Sequence, residues 1–184
     1  MGLGIAIIGY GEVGQIWGAE FAAAGARVAT YDILFGTPAA EARIARAPGL
    51  GVRVAASAAE AAEGAEIVVS AVTADRARGV AEGAAYLVPG QVWFDINSAS
   101  PGTKVASAAA VEARGAGFVE GAVMATVPGK GLRVPILGGG PLAPATAERL
   151  NALGMNITPV EGPTGRASAM KLCRSIVIKG LEAM

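Results

Sequence analysis

The stretch Leu3-Gly-Ile-Ala-Ile-Ile-Gly-Tyr-Gly-Glu-Val-Gly14 constrains this chain more than any other. An apolar run, Ile5 to Ile8, suits a strand buried on both faces. It turns through Gly9-Tyr-Gly11-Glu-Val-Gly14 into an Ala-rich helical pattern, Gln15 to Ala24. Each glycine has its own physical reason: Gly9 for a tight turn, Gly11 for close approach of backbone to a pyrophosphate, Gly14 for close helix–strand packing. The helix N-terminus then aims free N–H groups and a positive dipole end at the phosphates. A second apolar run, Arg27 to Tyr31, ends on Asp32, 18 residues past Gly14. That is close to the spacing of roughly 20 for a carboxylate that binds an adenine ribose. Strand, helix, second strand and terminal acid together predict a dinucleotide site built from Gly9, Tyr10, Gly11, Glu12, Val13, Gly14 and Asp32. The carboxylate of Asp32 suits a ribose 2′-hydroxyl and repels a 2′-phosphate, and Ile33-Leu-Phe35 offers no arginine for that phosphate. The expected cofactor is therefore NAD rather than NADP.

Absent residues exclude whole classes of chemistry. There is no histidine, which removes Ser-His-Asp hydrolysis and His-ligated metals, and no metal site is expected. The single cysteine, Cys173, excludes disulfides within the chain, and its neighbours suggest a packed helical position. Fifteen basic and fifteen acidic residues cancel without forming runs, so nucleic acid is not an expected partner. The composition is 53% hydrophobic, yet no stretch reaches about 18 consecutive apolar residues, so no membrane span is expected. Met1-Gly-Leu-Gly-Ile-Ala6 shows no signal-peptide pattern and lacks the Ser or Thr of a myristoylation site. A cytoplasmic protein is the default expectation.

The rest of the chain alternates strands with helices. Thr37-Pro38 is expected to cap and start a helix that stops at Pro48-Gly49, before a strand at Val52 to Val54. Ser57-Ala-Ala-Glu60 has the form of a capping box. Ile67 to Val72 reads as a central strand, and Thr73 as the cap of a helix running to about Leu87. Gln91 to Phe94 is a further strand that delivers Asp95-Ile-Asn-Ser98 at its C-terminal end. A helix from Ser100-Pro101 ends near Gly115, and Gly117 to Val119 returns to strand. A Gly/Pro-rich connection, Gly121 to Gly131, precedes strand Val134 to Leu137, a helix between Pro141 and Gly154, and strand Met155 to Val160. This pattern predicts a doubly wound, mostly parallel α/β sheet of the Rossmann type. Ligands of such sheets lie at the carboxyl ends of the strands, where Val72, Thr73 and Asn97 join the cofactor candidates.

From Gly165 a last helical stretch runs through Lys171 and Ser175 to Met184, apolar on more than one face. Such a helix belongs in a core or an interface. The expected division is a dinucleotide-binding domain over 1–162 and the first turns of a long helix over 163–184. That helix is expected to precede a missing helical domain or to be covered by a second subunit. Self-association through Ile176 to Met184 is the corresponding partner expectation.

Taken in order, Gly9-Tyr-Gly-Glu-Val-Gly14, Asp95-Ile-Asn-Ser-Ala-Ser-Pro101 and Gly165-Arg-Ala…Lys171 resemble the β-hydroxyacid dehydrogenases. That superfamily includes 6-phosphogluconate and 3-hydroxyisobutyrate dehydrogenases. The resemblance implies that Asn97 and Ser98 line the nicotinamide and substrate, and that Lys171 is the catalytic lysine of an interdomain helix. The family's substrate loop, Asp-Ala-Pro-Val-Ser-Gly-Gly, stands here as Glu120-Gly-Ala-Val-Met-Ala-Thr126, which puts Met124 where the family has a substrate-binding serine. Ser175 stands for the asparagine four residues after the lysine. With Val127-Pro-Gly-Lys-Gly131, these features suggest a 6-phosphogluconate dehydrogenase-like branch, in which Lys130, Arg133 and Arg166 are the cations that could contribute to holding a phosphate.

Two functions are consistent with these residues. One is an oxidoreductase that moves hydride between a nicotinamide cofactor and a small hydroxy acid or related carbonyl, or an imine on a similar scaffold. The other is a dinucleotide-binding module without turnover of its own. A flavin or S-adenosylmethionine site is a weaker alternative, since glycine-rich turns serve those ligands too.

Overall fold

A computed structural model describes residues 2–182. Met1 and residues 183–184, on which the expectations about a leader and about self-association partly fall, lie outside the described residues. Strand β1 (Gly4–Ile8), helix α1 (Glu12–Ala23) and strand β2 (Arg27–Tyr31) form the first unit. Helix α2 (Pro38–Arg46), strand β3 (Val52–Val54), helix α3 (Ala58–Ala62) and strand β4 (Ile67–Ser70) continue it. Then come α4 (Ala77–Glu82), β5 (Val92–Asp95), α5 (Pro101–Glu112), β6 (Gly117–Val123), β7 (Pro135–Gly139), α6 (Ala143–Asn151), β8 (Asn156–Pro159) and α7 (Arg166–Glu182).

The eight strands form one sheet in the order β3-β2-β1-β4-β5-β6-β7-β8. Strands β1 to β6 are mutually parallel, β7 runs antiparallel to β6, and β8 is parallel to β7. The chain order reverses between β1 and β4, and a crevice outside the carboxyl ends of the strands is expected at such a switch.

Alternation along the strands builds two cores. Ile5 and Ile7 face one side with Trp17 and Phe21 of α1 and Leu150 of α6. Ala6 and Ile8 face the other, with Ala61, Ala81, Ala108 and Val111 from α3, α4 and α5. The second layer is built largely on alanine, which accounts for part of the apolar excess in the composition. Burying each Ile of β1 contributes roughly 1.5–3 kcal/mol.

Several local expectations are corrected. Helix α1 starts at Glu12, ahead of Gln15. Helix α4 is a short element, far from reaching Leu87, and its N-cap is Arg76 rather than Thr73. Glycines at 79 and 83 weaken the helical pattern by about 1 kcal/mol each. Thr37 does not cap α2 through its side chain, because its hydroxyl donates to Leu34 O at 2.7 Å. Ser57 does cap α3: its Oγ accepts from Glu60 N at 3.1 Å, and Glu60 returns to the N–H of Ala56 at 2.8 Å. Strand β6 runs on to Val123, into the segment expected as a connection, because Gly121, Ala122 and Val123 pair with β7. The connection proper packs on α1, where Trp17 Nε1 donates to Gly131 O and Glu20 accepts from Leu132 N. Cys173 is exposed, not packed, since α7 leaves this face uncovered. No helix among the described residues is long and apolar enough to cross a membrane.

Candidate active site

The glycine turn sits at the switch point, and its geometry is backbone geometry. Gly9 has φ +99° and donates to Tyr31 O at 2.8 Å, and a Cβ there would lie 2.3 Å from Ala71 O. A Cβ on Gly14 would lie 2.2 Å from Gly9 O, so the helix can seat against the turn only without a side chain. A Cβ on Gly11 would meet nothing within 4 Å, and Gly11 caps α1 with no side-chain hydrogen bond. Open space therefore lies against uncapped N–H groups, which fits a pyrophosphate. Glu12 is exposed and Val13 half-buried at this opening.

Tyr10 contributes only backbone to that opening, because its ring is fully buried against Phe35. Its N–H donates to Asp32 Oδ2 at 2.6 Å, and its carbonyl accepts from the Arg43 guanidinium at 3.1 Å. Asp32 also accepts from Leu34 N at 2.9 Å, so this carboxylate braces the turn from the end of β2. Lone pairs remain on both its oxygens. Val72 is half-buried, with Cγ1 3.1 Å from the position a Gly9 Cβ would take, while Thr73 is exposed.

At the end of β5 the chain builds the second half of the site. An open cleft of about 280 Å³ is lined by Asn97, Ser98, Pro101, Ser168, Lys171 and Ser175, among others. Ser168, Lys171 and Ser175 share one stripe of α7, spaced at three and four residues. Lys171 Nζ donates to Ser98 Oγ at 2.8 Å, linking groups 73 residues apart in sequence. Burial first, and the positive charge of Lys104 second, hold the Lys171 ammonium below the ordinary lysine range. A lysine so placed exchanges a proton nearer neutrality than a solvated one.

Three charged residues behind the cleft were not among the sequence candidates. Lys104, Asp95 and Glu120 are each 0% exposed. Lys104 Nζ donates to Asp95 O at 2.9 Å and lies 3.0 Å from Asp95 Oδ1. Glu120 accepts from the N–H groups of Gly165, Ala167 and Ser168 and from the Ser168 hydroxyl, so it caps α7 from the middle of β6. Asn97 donates through Nδ2 to Ser70 Oγ at 2.9 Å and to Asp95 Oδ1 at 2.6 Å. One signal could have found Lys104: it heads the stripe 104, 107, 108, 111, the buried face of α5.

The structure does not gather every candidate. Met124 is half-buried and accepts through its carbonyl from Arg174 at 2.9 Å, but it does not line the cleft. Lys130, Arg133 and Arg166 are exposed and line no part of it either.

Comparison with known proteins places this geometry. A family model, NADP oxidoreductase coenzyme F420-dependent, matches residues 4–98. A conserved hypothetical protein from Sinorhizobium meliloti 1021 superposes with a TM-score of 0.92 at 44% identity, covering 100% of this chain and 62% of that one. The conserved protein MTH1747, of unknown function and similar in structure to 3-hydroxyacid dehydrogenases, gives 0.83 at 32% identity, covering 97% and 66%. Mycobacterium tuberculosis 3-hydroxyisobutyrate dehydrogenase with L-serine gives 0.83 at 25%, covering 97% and 60%. The chain thus spans 60% to 66% of the length of these proteins. No curated protein matches it in sequence. Matched by that family model over more than half its residues, the chain belongs to the NADP oxidoreductase, coenzyme F420-dependent family, and its fold is similar to that of 3-hydroxyisobutyrate dehydrogenase.

Proposed function

We propose that this chain supplies the cofactor site and the proton-transfer lysine of an NAD-dependent oxidoreductase acting on a small hydroxy acid or related carbonyl. The observation that carries the reading is the Lys171–Ser98 hydrogen bond of 2.8 Å, set in a cleft beside Asn97 at the carboxyl end of β5. A bound nicotinamide cofactor accepts or gives the hydride. Glycines 9, 11 and 14 and the N-terminus of α1 hold its pyrophosphate, and Asp32 takes the adenine ribose. Lys171 takes up the hydroxyl proton as the substrate carbonyl forms and returns it in the reverse direction. Ser98 fixes the amine, and Asn97 and Ser175 line the place where the substrate sits. A sugar phosphate is disfavoured as substrate, because Lys130, Arg133 and Arg166 all lie away from the cleft.

Exposed Ile176, Val177 and Leu181 on α7 support self-association through that helix. Light scattering at several concentrations, with Ile176→Glu alongside, tests that part.

Calorimetric titration with NADH and NADPH tests the cofactor assignment. NADH is expected to bind more tightly. Tighter NADPH binding overturns the role of Asp32, and binding of neither overturns the reading of the turn. Dinucleotide binding without turnover on any of a panel of small 3-hydroxy acids favours the plain binding module.

A further inference from the structure

Lys104 is a lysine in a core position, and its contacts lead to the cleft. It is fully buried on the stripe of α5 that also carries Ser107, Ala108 and Val111. Its Nζ is held by the carbonyl and by Oδ1 of Asp95. That same Oδ1 accepts from Asn97 N at 2.9 Å and from Asn97 Nδ2 at 2.6 Å, while Asp95 Oδ2 has no partner. Asp95 and Ser70 take up both hydrogens of the Asn97 amide, so Asn97 Oδ1 is turned from both and is left a buried acceptor without a partner. The reverse amide orientation would set its oxygen against a carboxylate, so this network decides which end of the amide is left without a partner.

We propose that Lys104 is the positioning residue of the cleft, holding Asp95 as the anchor of the Asn97 amide and setting its ammonium behind Lys171. The proposal rests on the cleft being the nicotinamide and substrate site. Asn97 Oδ1 is then the acceptor for an N–H or O–H group of that ligand, a carboxamide or a hydroxyl.

The charged groups around the pair are Asp95 on β5, Glu120 on β6, and Lys171 and Arg174 on α7. Glu120 is bonded to the first turn of α7, and its charge also favours the Lys104 ammonium. Arg174 donates to Met124 O. Burial lowers the pKa of Lys104, and Asp95 and then Glu120 oppose that fall. Among the charges, Lys104 is the one that lowers Lys171.

The test is an NMR titration of the Lys171 side chain in lysine-labelled protein, run for wild type, Lys104→Met and Lys104→Arg, with NADH binding measured on each. In Lys104→Met the Lys171 titration should move up toward the ordinary value of 10.5. Affinity for NADH should fall roughly three- to tenfold, the worth of one positioned hydrogen bond. Lys104→Arg should keep both near wild type. If Lys104→Met does not fold, Lys104→Gln, which removes the charge but keeps a donor for Asp95, carries the same titration readout. A Lys171 titration that stays in place in every folded variant lacking the Lys104 charge overturns the proposal. Wild-type protein that binds no dinucleotide overturns the functional reading instead, and the lysine titration still decides the role of Lys104.

Discussion

The turn around β1 and the cleft beside β5 solve different problems with different materials. At the turn, the chain offers backbone: N–H groups of an uncapped helix, and glycines that leave room. Binding an anion there buries no protein charge, because helix dipoles and amides supply the positive field. In the cleft, the chain buries Asp95, Lys104 and Glu120 completely and sets Lys171 half-buried against them. Moving a proton near neutral pH needs a titratable group shifted from its ordinary value, and burial with a nearby charge supplies that shift. Each ion so buried must be paired, or it costs several kcal/mol. Phosphate binding is therefore built locally, and proton handling is built across the whole fold.

Variants can separate the two regions. Lys171→Ala should lower turnover by roughly 10²–10⁴, the scale of a general acid–base group, while NADH affinity stays within a few-fold. A loss under about tenfold in folded protein would remove Lys171 from the chemistry. Glu120→Ala leaves three N–H groups and the Ser168 hydroxyl short of a buried partner and removes a charge that favours the Lys104 ammonium, and should cost roughly 3–5 kcal/mol of stability in denaturant unfolding. A cost near 1 kcal/mol would mean that water replaces the carboxylate. Gly14→Ala drives a Cβ against Gly9 O and should cost roughly 1–3 kcal/mol. Calorimetry should show dinucleotide binding lost in that variant, with the NMR titration of Lys171 unmoved. If that titration moves as well, the two regions are not independent.

The smallest effects expected are with pH. Oxidation of an alcohol needs the neutral Lys171 amine, so its rate should rise with pH and level off below 10.5. Reduction should show the opposite slope. The unfolded chain keeps the Lys171 proton up to the ordinary value, while the folded chain releases it earlier. Between those two points the unfolded state binds more protons, so stability should rise with pH across that window. Unfolding followed over that range in wild type and Lys171→Met checks the sign: the rise should shrink in the variant, leaving the part that belongs to Lys104, whose pKa burial also lowers.

The turn was legible because backbone demands leave a mark in the sequence. Only glycine serves at Gly9 and Gly14, and a strand-ending acid at Asp32 falls at the expected distance. The strand–helix alternation was legible for the same local reasons, although the ends of α4 and β6 were not. Those ends depend on glycines that interrupt the helical pattern and on pairing with β7. The cleft was legible in part through the strand-end position of Asn97, and otherwise through the resemblance that singled out Ser98 and Lys171. Its supporting charges come together from far apart, Glu120 with Ser168 across 48 residues and Lys171 with Ser98 across 73. Lys104 was partly visible, as a charge at the head of an inward-facing stripe, but nothing near it in sequence announces Glu120 as a neighbour.

The grip of Glu120 on the start of α7 has a mechanical consequence. Its carboxylate clamps Gly165, Ala167 and Ser168, so it acts as a fulcrum for the helix. Lys171 lies three residues beyond Ser168, about 4.5 Å along the axis, whereas Leu181 lies about 20 Å out, at 1.5 Å per residue. A rigid tilt about that point displaces Leu181 about four times as far as Lys171. Whatever load the exposed outer half of this lever carries reaches the amine geared down, which keeps the register between Lys171 and Ser98 least sensitive to what happens at the far end.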